Sequence, residues 1–235
     1  MSASCVVDSS QRTFALQAPV RASAPGGAEV STVGGLLHDD EVEWLQRAAT
    51  GFERSPVQHD GGRGLSDVRT SSTATVPRGA DDVVRCIERK VAQAAGDSVA
   101  NLEGLQLTRY LPGQKYDTHH DCLPDAEARG NQRSKTLFAY LQDLGADCDD
   151  VSVCGGATVF PHLRGADGAA ALRIYPERGT AAVWSNTRDG APDDDMRHGG
   201  EPPREGAPAC CGAEKMGLNA WFRERSYDPS DPQDP

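Results

Sequence analysis

A His-x-Asp pattern shortly after a Pro-Gly turn is the feature of this sequence that could bind a metal ion. His119 and Asp121 follow Pro112-Gly113 within nine residues. In a strand, residues i and i+2 point to the same face, so these two side chains can reach one ion while His120 points away. A distant histidine would complete a set of two imidazoles and one carboxylate. That set is typical of non-haem Fe(II) oxygenases, because it leaves positions of the metal open.

Two downstream histidines are candidates for the third ligand. His162 follows Phe160-Pro161 in a predicted turn, whereas His198 lies upstream of a segment that contains Lys215. A cation near the third ligand would suit a dicarboxylate co-substrate, because one end chelates the metal and the other end needs a positive partner. Zn²⁺ could occupy the same ligands. A second match, His38-Asp39-Asp40, is better explained by aspartates that cap a helix.

The charge balance and the hydropathy exclude two classes of function. The chain of 235 residues carries 24 Lys+Arg against 35 Asp+Glu, a net charge of −11. Such an acidic domain repels phosphate backbones. No apolar run reaches the roughly 18 residues that a membrane-spanning helix needs. The 25 Gly and 15 Pro predict a loop-rich domain. We therefore expect neither nucleic-acid binding nor a membrane span.

Helical and strand-like patterns divide the chain near residue 100. One helix is predicted from Asp39 or Asp40, and a second from Asp81-Asp82 to Gly96, since aspartates cap helix starts and glycine ends helices. A strand is predicted at 69–76. Strand-like segments follow at 105–110, 136–141, 157–160, 172–175, 180–184 and 216–222. Short strands after two helices indicate a mainly β domain with flanking helices (α+β), arranged as a jelly roll.

The chain ends and the cysteines carry separate predictions. Residues 1–34 are rich in Ser, Ala and Gly and predict a flexible leader, and 227–235 predict a disordered acidic tail. The first twenty residues lack the apolar core of a secretory signal. This favours the cytoplasm, or the endoplasmic reticulum if a presequence is missing. Seven cysteines without a CxxC pair argue against a fully paired disulfide framework, although one or two bridges stay open. We interpret Cys210-Cys211 as two loop thiols.

Seven segments resemble, in order, the catalytic domain of prolyl 4-hydroxylases, members of the Fe(II)/2-oxoglutarate-dependent dioxygenase superfamily. They are VRTSS (68–72), LPGQKYDTHHD (111–121), NQRSKT (131–136), GGATVFP (155–161), GTAAVWSN (179–186), RHGGEP (197–202) and EKMGLNAWF (214–222). The resemblance implies a dioxygenase domain at 35–226. Helical support and a substrate loop would occupy 35–100, and a jelly-roll core, the double-stranded β-helix, 101–226. An apparent insertion at 205–211 departs from the family pattern.

The resemblance also implies a role for each matching residue. The iron ligands would be His119, Asp121 and His198. The residues implied to bind 2-oxoglutarate are Lys215, which would pair with the far carboxylate, and Tyr140, Thr136 and Tyr110. Arg133 and Trp221 resemble positions close to the substrate proline.

The activity implied is that of a procollagen-proline 4-dioxygenase. Such an enzyme uses Fe(II), O2 and 2-oxoglutarate to hydroxylate C4 of a proline in a peptide, releases succinate and CO2, and needs L-ascorbate to rescue oxidised iron. One alternative is a 2-oxoglutarate dioxygenase that acts on a different residue or on a small molecule, because the iron ligands and Lys215 would serve that chemistry equally. The other is a non-catalytic jelly-roll binding module, against which a complete ligand set and a complete co-substrate pocket argue.

Overall fold

Two larger antiparallel sheets, two two-stranded sheets and two α-helices make up the structure, a computed structural model that describes residues 22–23, 28–59, 62–124, 130–165 and 170–230. The helices of this part are α1 (Asp39–Ala48) and α2 (Asp82–Ala95). Its strands are β1 (Ala22–Ser23), β2 (Glu29–Val33), β3 (Glu53–Arg54), β4 (Val57–His59), β5 (Gly62–Gly64), β6 (Ser72–Val76), β7 (Leu105–Tyr110), β8 (Tyr116–His119), β9 (Arg133–Tyr140), β10 (Thr158–Phe160), β11 (Leu172–Ile174), β12 (Ala181–Ser185), β13 (Thr187–Arg188), β14 (Ala191–Pro192), β15 (His198–Gly200) and β16 (Lys215–Arg223).

The strands form a large sheet and a small sheet that enclose a common core. The large sheet has the order β1-β2-β12-β9-β16-β7-β6-β3, and the small sheet has the order β11-β10-β15-β8. The two-stranded sheets pair β4 with β5 and β13 with β14. Neighbours in space are mostly distant in sequence, as in a double-sheet jelly roll. The predicted fold class is thereby confirmed. In the described part of the chain, neither helix is long and apolar enough to cross a bilayer.

Both helices begin close to the predicted residues, and α2 also ends where predicted. Asp81 accepts a hydrogen bond from the Val84 amide at the start of α2, and Gly96 ends that helix at φ 59°, a conformation that glycine adopts without strain. The start of α1 differs from the prediction: His38, not an aspartate, is the N-cap residue, and its amide donates to Glu41 Oε2 at 2.8 Å. The carboxylate of the first turn replaces the predicted aspartate cap.

Alternation along the strands divides the apolar residues between two clusters. One face of the large sheet packs against α1 and α2, with Leu137 and Leu218 fully buried there. The opposite face meets the small sheet, where Phe138 and Trp184 pack with Phe160. Because side chains alternate along a strand, β9 supplies both clusters. The helices therefore fix the outer face of the sheet whose inner face borders the predicted metal site.

The prediction of a flexible leader up to residue 34 is wrong for its last part. Residues 29–33 form β2, which pairs with β12 from Val33↔Ala181 to Val30↔Trp184. Val30 is fully buried between the sheets, so burial of its side chain and the ladder hydrogen bonds offset the lost backbone entropy. Residues 1–21 and 24–27 of the predicted leader lie outside the described residues.

The prediction of a disordered tail is wrong at its first residue, Tyr227. The Tyr227 amide donates to Ala100 O at 2.8 Å, and Tyr227 O accepts from Arg78 Nη1 at 2.9 Å. Residues 231–235 of that prediction lie outside the described residues.

The interpretation of Cys210-Cys211 as loop thiols is wrong, because both sulfurs form disulfides. The bridges join Cys148 to Cys210 and Cys154 to Cys211, and we refer to the two together as the disulfide pair. They attach the 201–214 segment, which contains the insertion noted in the sequence, to the 148–154 turn. That segment connects β15 to β16.

Candidate active site

The pairing of β8 with β15 brings the three predicted metal ligands together. His198 is the register partner of His119, and Asp121 follows β8 by two residues. His119 Nε2 lies 3.5 Å from Asp121 Oδ1, and His198 Nε2 lies 3.5 Å from Asp121 Oδ2. One ligand atom from each residue falls within 4.8 Å of the others. An ion can therefore contact all three side chains at once.

Backbone carbonyl groups fix which ring nitrogen of each histidine can bind a metal. His119 Nδ1 lies 2.8 Å from Asp117 O, and His198 Nδ1 lies 2.9 Å from Met196 O. A carbonyl oxygen only accepts, so each Nδ1 carries the proton. In the neutral ring Nε2 then has the lone pair, and it is the nitrogen on the Asp121 side that can bind a metal. Two neutral imidazoles and one carboxylate fit Fe(II), and the donor set leaves positions of the ion open.

Burial and mutual charge set the ionisation of these ligands. His198 is only 6% exposed, and burial lowers its pKa from 6.5 to about 4, although the Asp121 carboxylate partly opposes that shift. Burial alone would raise the pKa of Asp121, but His198, His119 and the Thr136 hydroxyl together hold it well below its usual range. Near neutral pH the site therefore contains a neutral imidazole at His198 and an ionised carboxylate, the forms that bind metal.

Lys215 lies in the same cavity as the three ligands, at the first residue of β16. Its side chain is 1% exposed, and its Nζ lies 5.2 Å from the ring centroid of Tyr110 and 5.5 Å from that of Phe138. Burial lowers its pKa from 10.5 to about 7, with a weak opposing effect of Glu201. Within the described residues, no carboxylate lies within ion-pair distance of Nζ. A carboxylate of a bound dicarboxylate would supply the missing charge.

The other residues predicted to bind 2-oxoglutarate occupy different places. Tyr110 lines the cavity. The Tyr140 hydroxyl donates to Thr158 Oγ1 at 2.9 Å, and it is Thr158 that lines the cavity. The Thr136 hydroxyl donates to Asp121 Oδ2 at 2.6 Å, at the metal ligands. The roles predicted for Tyr140 and Thr136 at the far carboxylate stay predictions, and these contacts favour an indirect role for both.

Arg133 and Trp221, the residues predicted to contact a substrate, meet at the other end of the cavity. The Arg133 guanidinium carbon lies 4.0 Å from the ring centroid of Trp221. Glu103 holds that guanidinium in a bidentate pair, with both N···O distances at 2.7 Å, and also binds Arg223. Trp221 lines the cavity, and its buried Nε1 has no hydrogen-bond partner within the described part of the chain.

Sequence reasoning missed several residues that line the cavity. Tyr116 stacks on His119 with ring centroids 3.5 Å apart, and the Arg69 guanidinium carbon lies 4.7 Å from the Tyr116 centroid. Trp184 and Asn219 also line the cavity. The signal that could have found Asn219 is the strand period, since it shares a face of β16 with Lys215 and Trp221. Arg69 lies in the matching segment 68–72, but no spacing pattern marks it as part of the cavity.

Comparison with known proteins gives the same class. Residues 105–223 match the model of the 2OG-Fe(II) oxygenase superfamily. Prolyl 4-hydroxylase 5 of Arabidopsis thaliana is 34% identical over 210 residues, which cover 82% of this chain and 67% of the relative. Prolyl 4-hydroxylase 2 of the same plant is 33% identical over 214 residues, 83% of this chain and 67% of the relative.

Solved structures show the same fold. A viral collagen prolyl hydroxylase from Paramecium Bursaria Chlorella virus-1 superposes with a TM-score of 0.60 at 24% identity, with 83% of this chain and 95% of that chain covered. A Pseudomonas putida prolyl-4-hydroxylase gives a TM-score of 0.52 at 19% identity, with 84% and 93% covered.

The chain belongs to the Fe(II)/2-oxoglutarate-dependent oxygenase superfamily and is a prolyl 4-hydroxylase-like enzyme of that family. The implied Fe(II) fits the three ligands, whose donor atoms face one point. The implied 2-oxoglutarate fits the buried ammonium of Lys215.

Proposed function

We propose that this enzyme hydroxylates C4 of proline residues in a peptide or protein and converts 2-oxoglutarate and O2 to succinate and CO2. The observation that carries the proposal is the 34% identity to a plant prolyl 4-hydroxylase across 82% of the chain. The rings of Trp221 and Tyr116 both line the cavity, and we refer to them as its aromatic wall. This wall adds a physical reason for a proline substrate.

That wall suits a compact, saturated ring beside the iron ligands. Trp221 is 7% exposed and Tyr116 stacks on the ligand His119, so the cavity presents two aromatic surfaces close to the metal site. Such surfaces pack well against an apolar ring with few rotatable bonds. Arg133, held by Glu103, keeps the Trp221 ring in place.

Each end of the cavity has a separate task in this reaction. His119, Asp121 and His198 would hold Fe(II), and Lys215 would orient 2-oxoglutarate by its far carboxylate. When bound, the two supply the oxidant for an unactivated C–H bond. The chain itself contributes placement: the aromatic wall holds the proline ring, and the buried ligands keep bulk water away. L-ascorbate would return oxidised iron to Fe(II) after turnovers that do not reach substrate.

We also propose that the enzyme works in an oxidising compartment such as the endoplasmic reticulum rather than in the cytoplasm. The disulfide pair supports this, because cytosolic thiols are kept reduced. To test it, cells are quenched with acid to stop thiol exchange, and free cysteine thiols are then labelled with maleimide. Full labelling of the four cysteines of the disulfide pair without added reductant would contradict the proposal.

The test of the substrate combines succinate release with mass spectrometry of peptides. The protein is incubated with Fe(II), 2-oxoglutarate, ascorbate and a panel of polyproline, collagen-like and proline-free peptides. We expect one oxygen added to prolines only, absent from the Asp121→Ala variant. Trp221→Ala should raise the KM for peptide at least tenfold, and Trp221→Phe, the matched control, should raise it less. Succinate release with oxygen on another residue, or on none, would refute the proline substrate.

A further inference from the structure

A buried chain of hydrogen bonds connects Asn186, which directly follows β12, to the metal ligand Asp121. Asn186 Nδ2 donates to Thr136 Oγ1 at 2.9 Å, and the Thr136 hydroxyl donates to Asp121 Oδ2 at 2.6 Å. Asn186 is 1% exposed and Thr136 is fully buried, so water does not compete for these bonds. Asn186 itself lies outside the cavity lining.

The direction of the chain follows from the number of hydrogens available. A threonine hydroxyl has one hydrogen, and it can go either to Asp121 Oδ2 or to Asn186 Oδ1, which lies 3.2 Å from Oγ1. The bond to Oδ2 is shorter, and a charged acceptor makes it the stronger of the two. The Asn186 amide then fills a lone pair of Oγ1 and leaves the hydroxyl as a donor to the carboxylate.

Backbone contacts hold Asn186 in the position from which it donates. Its amide nitrogen donates to Ser134 O at 2.8 Å in β9, and its carbonyl oxygen accepts from Asp193 N at 2.9 Å. Thr136 lies in the same strand β9, as the register partner of Trp184. The relative position of amide and hydroxyl is therefore set by pairing of the large sheet.

We propose that Asn186 is a positioning residue that acts through Thr136 to keep Asp121 a ligand by one oxygen only. A hydrogen bond that occupies Oδ2 leaves Oδ1 to the metal. A carboxylate bound by both oxygens would close one of the positions that this ligand set keeps open for the co-substrates. The inference deepens the metal site of the proposed enzyme, and it does not depend on whether the substrate is proline.

The test uses metal binding and needs no peptide. Mn(II) serves as the probe because it tolerates air, and its affinity is measured from the EPR signal of the free ion. Thr136→Val, which keeps the shape and removes the hydroxyl, should weaken Mn(II) binding about 10- to 100-fold, the usual effect of losing a partner of a metal ligand. Asn186→Leu should weaken it about tenfold. Thr136→Ser, which keeps the hydroxyl, should bind as the unchanged protein does.

Two readouts separate positioning from a merely structural role. In a double-mutant cycle, Asn186→Leu should cause no further loss of Mn(II) affinity in a Thr136→Val background. Broadening of the Mn(II) signal by ¹⁷O-labelled water should show one bound water fewer in Thr136→Val than in Thr136→Ser. Near-ultraviolet circular dichroism verifies folding, and Asn186→Ala replaces Asn186→Leu if the larger side chain prevents it.

Three results would overturn the proposal. They are unchanged Mn(II) affinity in a folded Asn186 variant, additive losses in the double variant, and an unchanged water count in Thr136→Val. None of them touches the choice of substrate, which the peptide assay decides on its own.

Discussion

Replacement of Lys215 by methionine should make the protein more stable and its binding of 2-oxoglutarate much weaker. The ammonium is 1% exposed and lies among the rings of Tyr110 and Phe138. Whenever Lys215 is protonated, the protein therefore keeps a cation in an apolar place, and a thioether of similar length would fit the same space without a charge.

The size of both effects follows from the environment of Nζ. A pKa lowered from 10.5 to about 7 by burial corresponds to roughly 5 kcal/mol of cost for the charged form, an upper bound for the gain on removal. Loss of a charge-assisted hydrogen bond to the far carboxylate costs about 1.5–3 kcal/mol. The dissociation constant of 2-oxoglutarate should then rise roughly 10- to 150-fold.

The stability effect should depend on pH in a defined direction. Below pH 7 both the folded and the unfolded chain hold the proton on Lys215, so the full cost is present. From pH 7 to 10.5 only the unfolded chain holds it, so stability rises with pH, and above pH 10.5 the cost is gone. The gain from Lys215→Met should accordingly be largest below pH 7.

Calorimetric titration of 2-oxoglutarate and urea unfolding at several pH values measure these effects. Lys135→Met is the matched control, because Lys135 Nζ donates to Ala95 O at 2.6 Å and lies 3.4 Å from Asp97 Oδ2. That variant should lose about 1 kcal/mol of stability and keep its affinity for 2-oxoglutarate. A less stable Lys215→Met, or one with unchanged affinity, would refute the reasoning.

Three further predictions concern the packing of Gly217, the ion pair of Glu103 with Arg133, and the disulfide pair. Gly217→Ala places a Cβ against the ring of Phe138, so thermal unfolding should show a loss of about 1–3 kcal/mol of stability and titration a weaker affinity for 2-oxoglutarate. Gly104→Ala, with its nearest contact at 3.6 Å, is the control. Glu103→Gln leaves Arg133 without its carboxylate and should cost about 3–5 kcal/mol in urea unfolding, an expectation that a loss below 1 kcal/mol would contradict. Reduction of the disulfide pair should lower the unfolding temperature and weaken 2-oxoglutarate binding before it affects Mn(II) binding. An equal loss of affinity for 2-oxoglutarate and for Mn(II) would exclude an effect confined to the part of the cavity around Lys215.

The sequence allowed the metal ligands to be predicted because their geometry is local. His119 ends β8 and Asp121 follows two residues later, so one short segment supplies both ligands. The choice of His198 needed only a nearby lysine and an ordered set of matching segments. The register His198↔His119, which closes the site, follows from sheet pairing that no local pattern reveals. The cysteine partners were equally out of reach, since pairing cannot be deduced from spacing.

Thr136 shows why a shared strand face is not enough to assign a role. Thr136 and Tyr140 lie four residues apart on one face of β9, a distance of about 13 Å at 3.3 Å per residue. The cavity is long enough for that separation to put them at different ends, Thr136 at Asp121 and Tyr140 at Thr158. The resemblance assigned both residues to the far carboxylate, whereas the position of each along the strand relative to β8 and β15 decides its contact.

The strand β16 makes the function of this protein depend on the packing of its outer face. Lys215 and Trp221 lie on one face, about 20 Å apart at 3.3 Å per residue, and both line the cavity. Leu218 and Phe222 lie on the other face, fully buried in the cluster that includes α1 and α2. A slip by one residue would exchange the two faces and bury the charge among the helices. The apolar contacts with the helices therefore fix the register that holds Lys215 and Trp221 at their distances from the metal ligands.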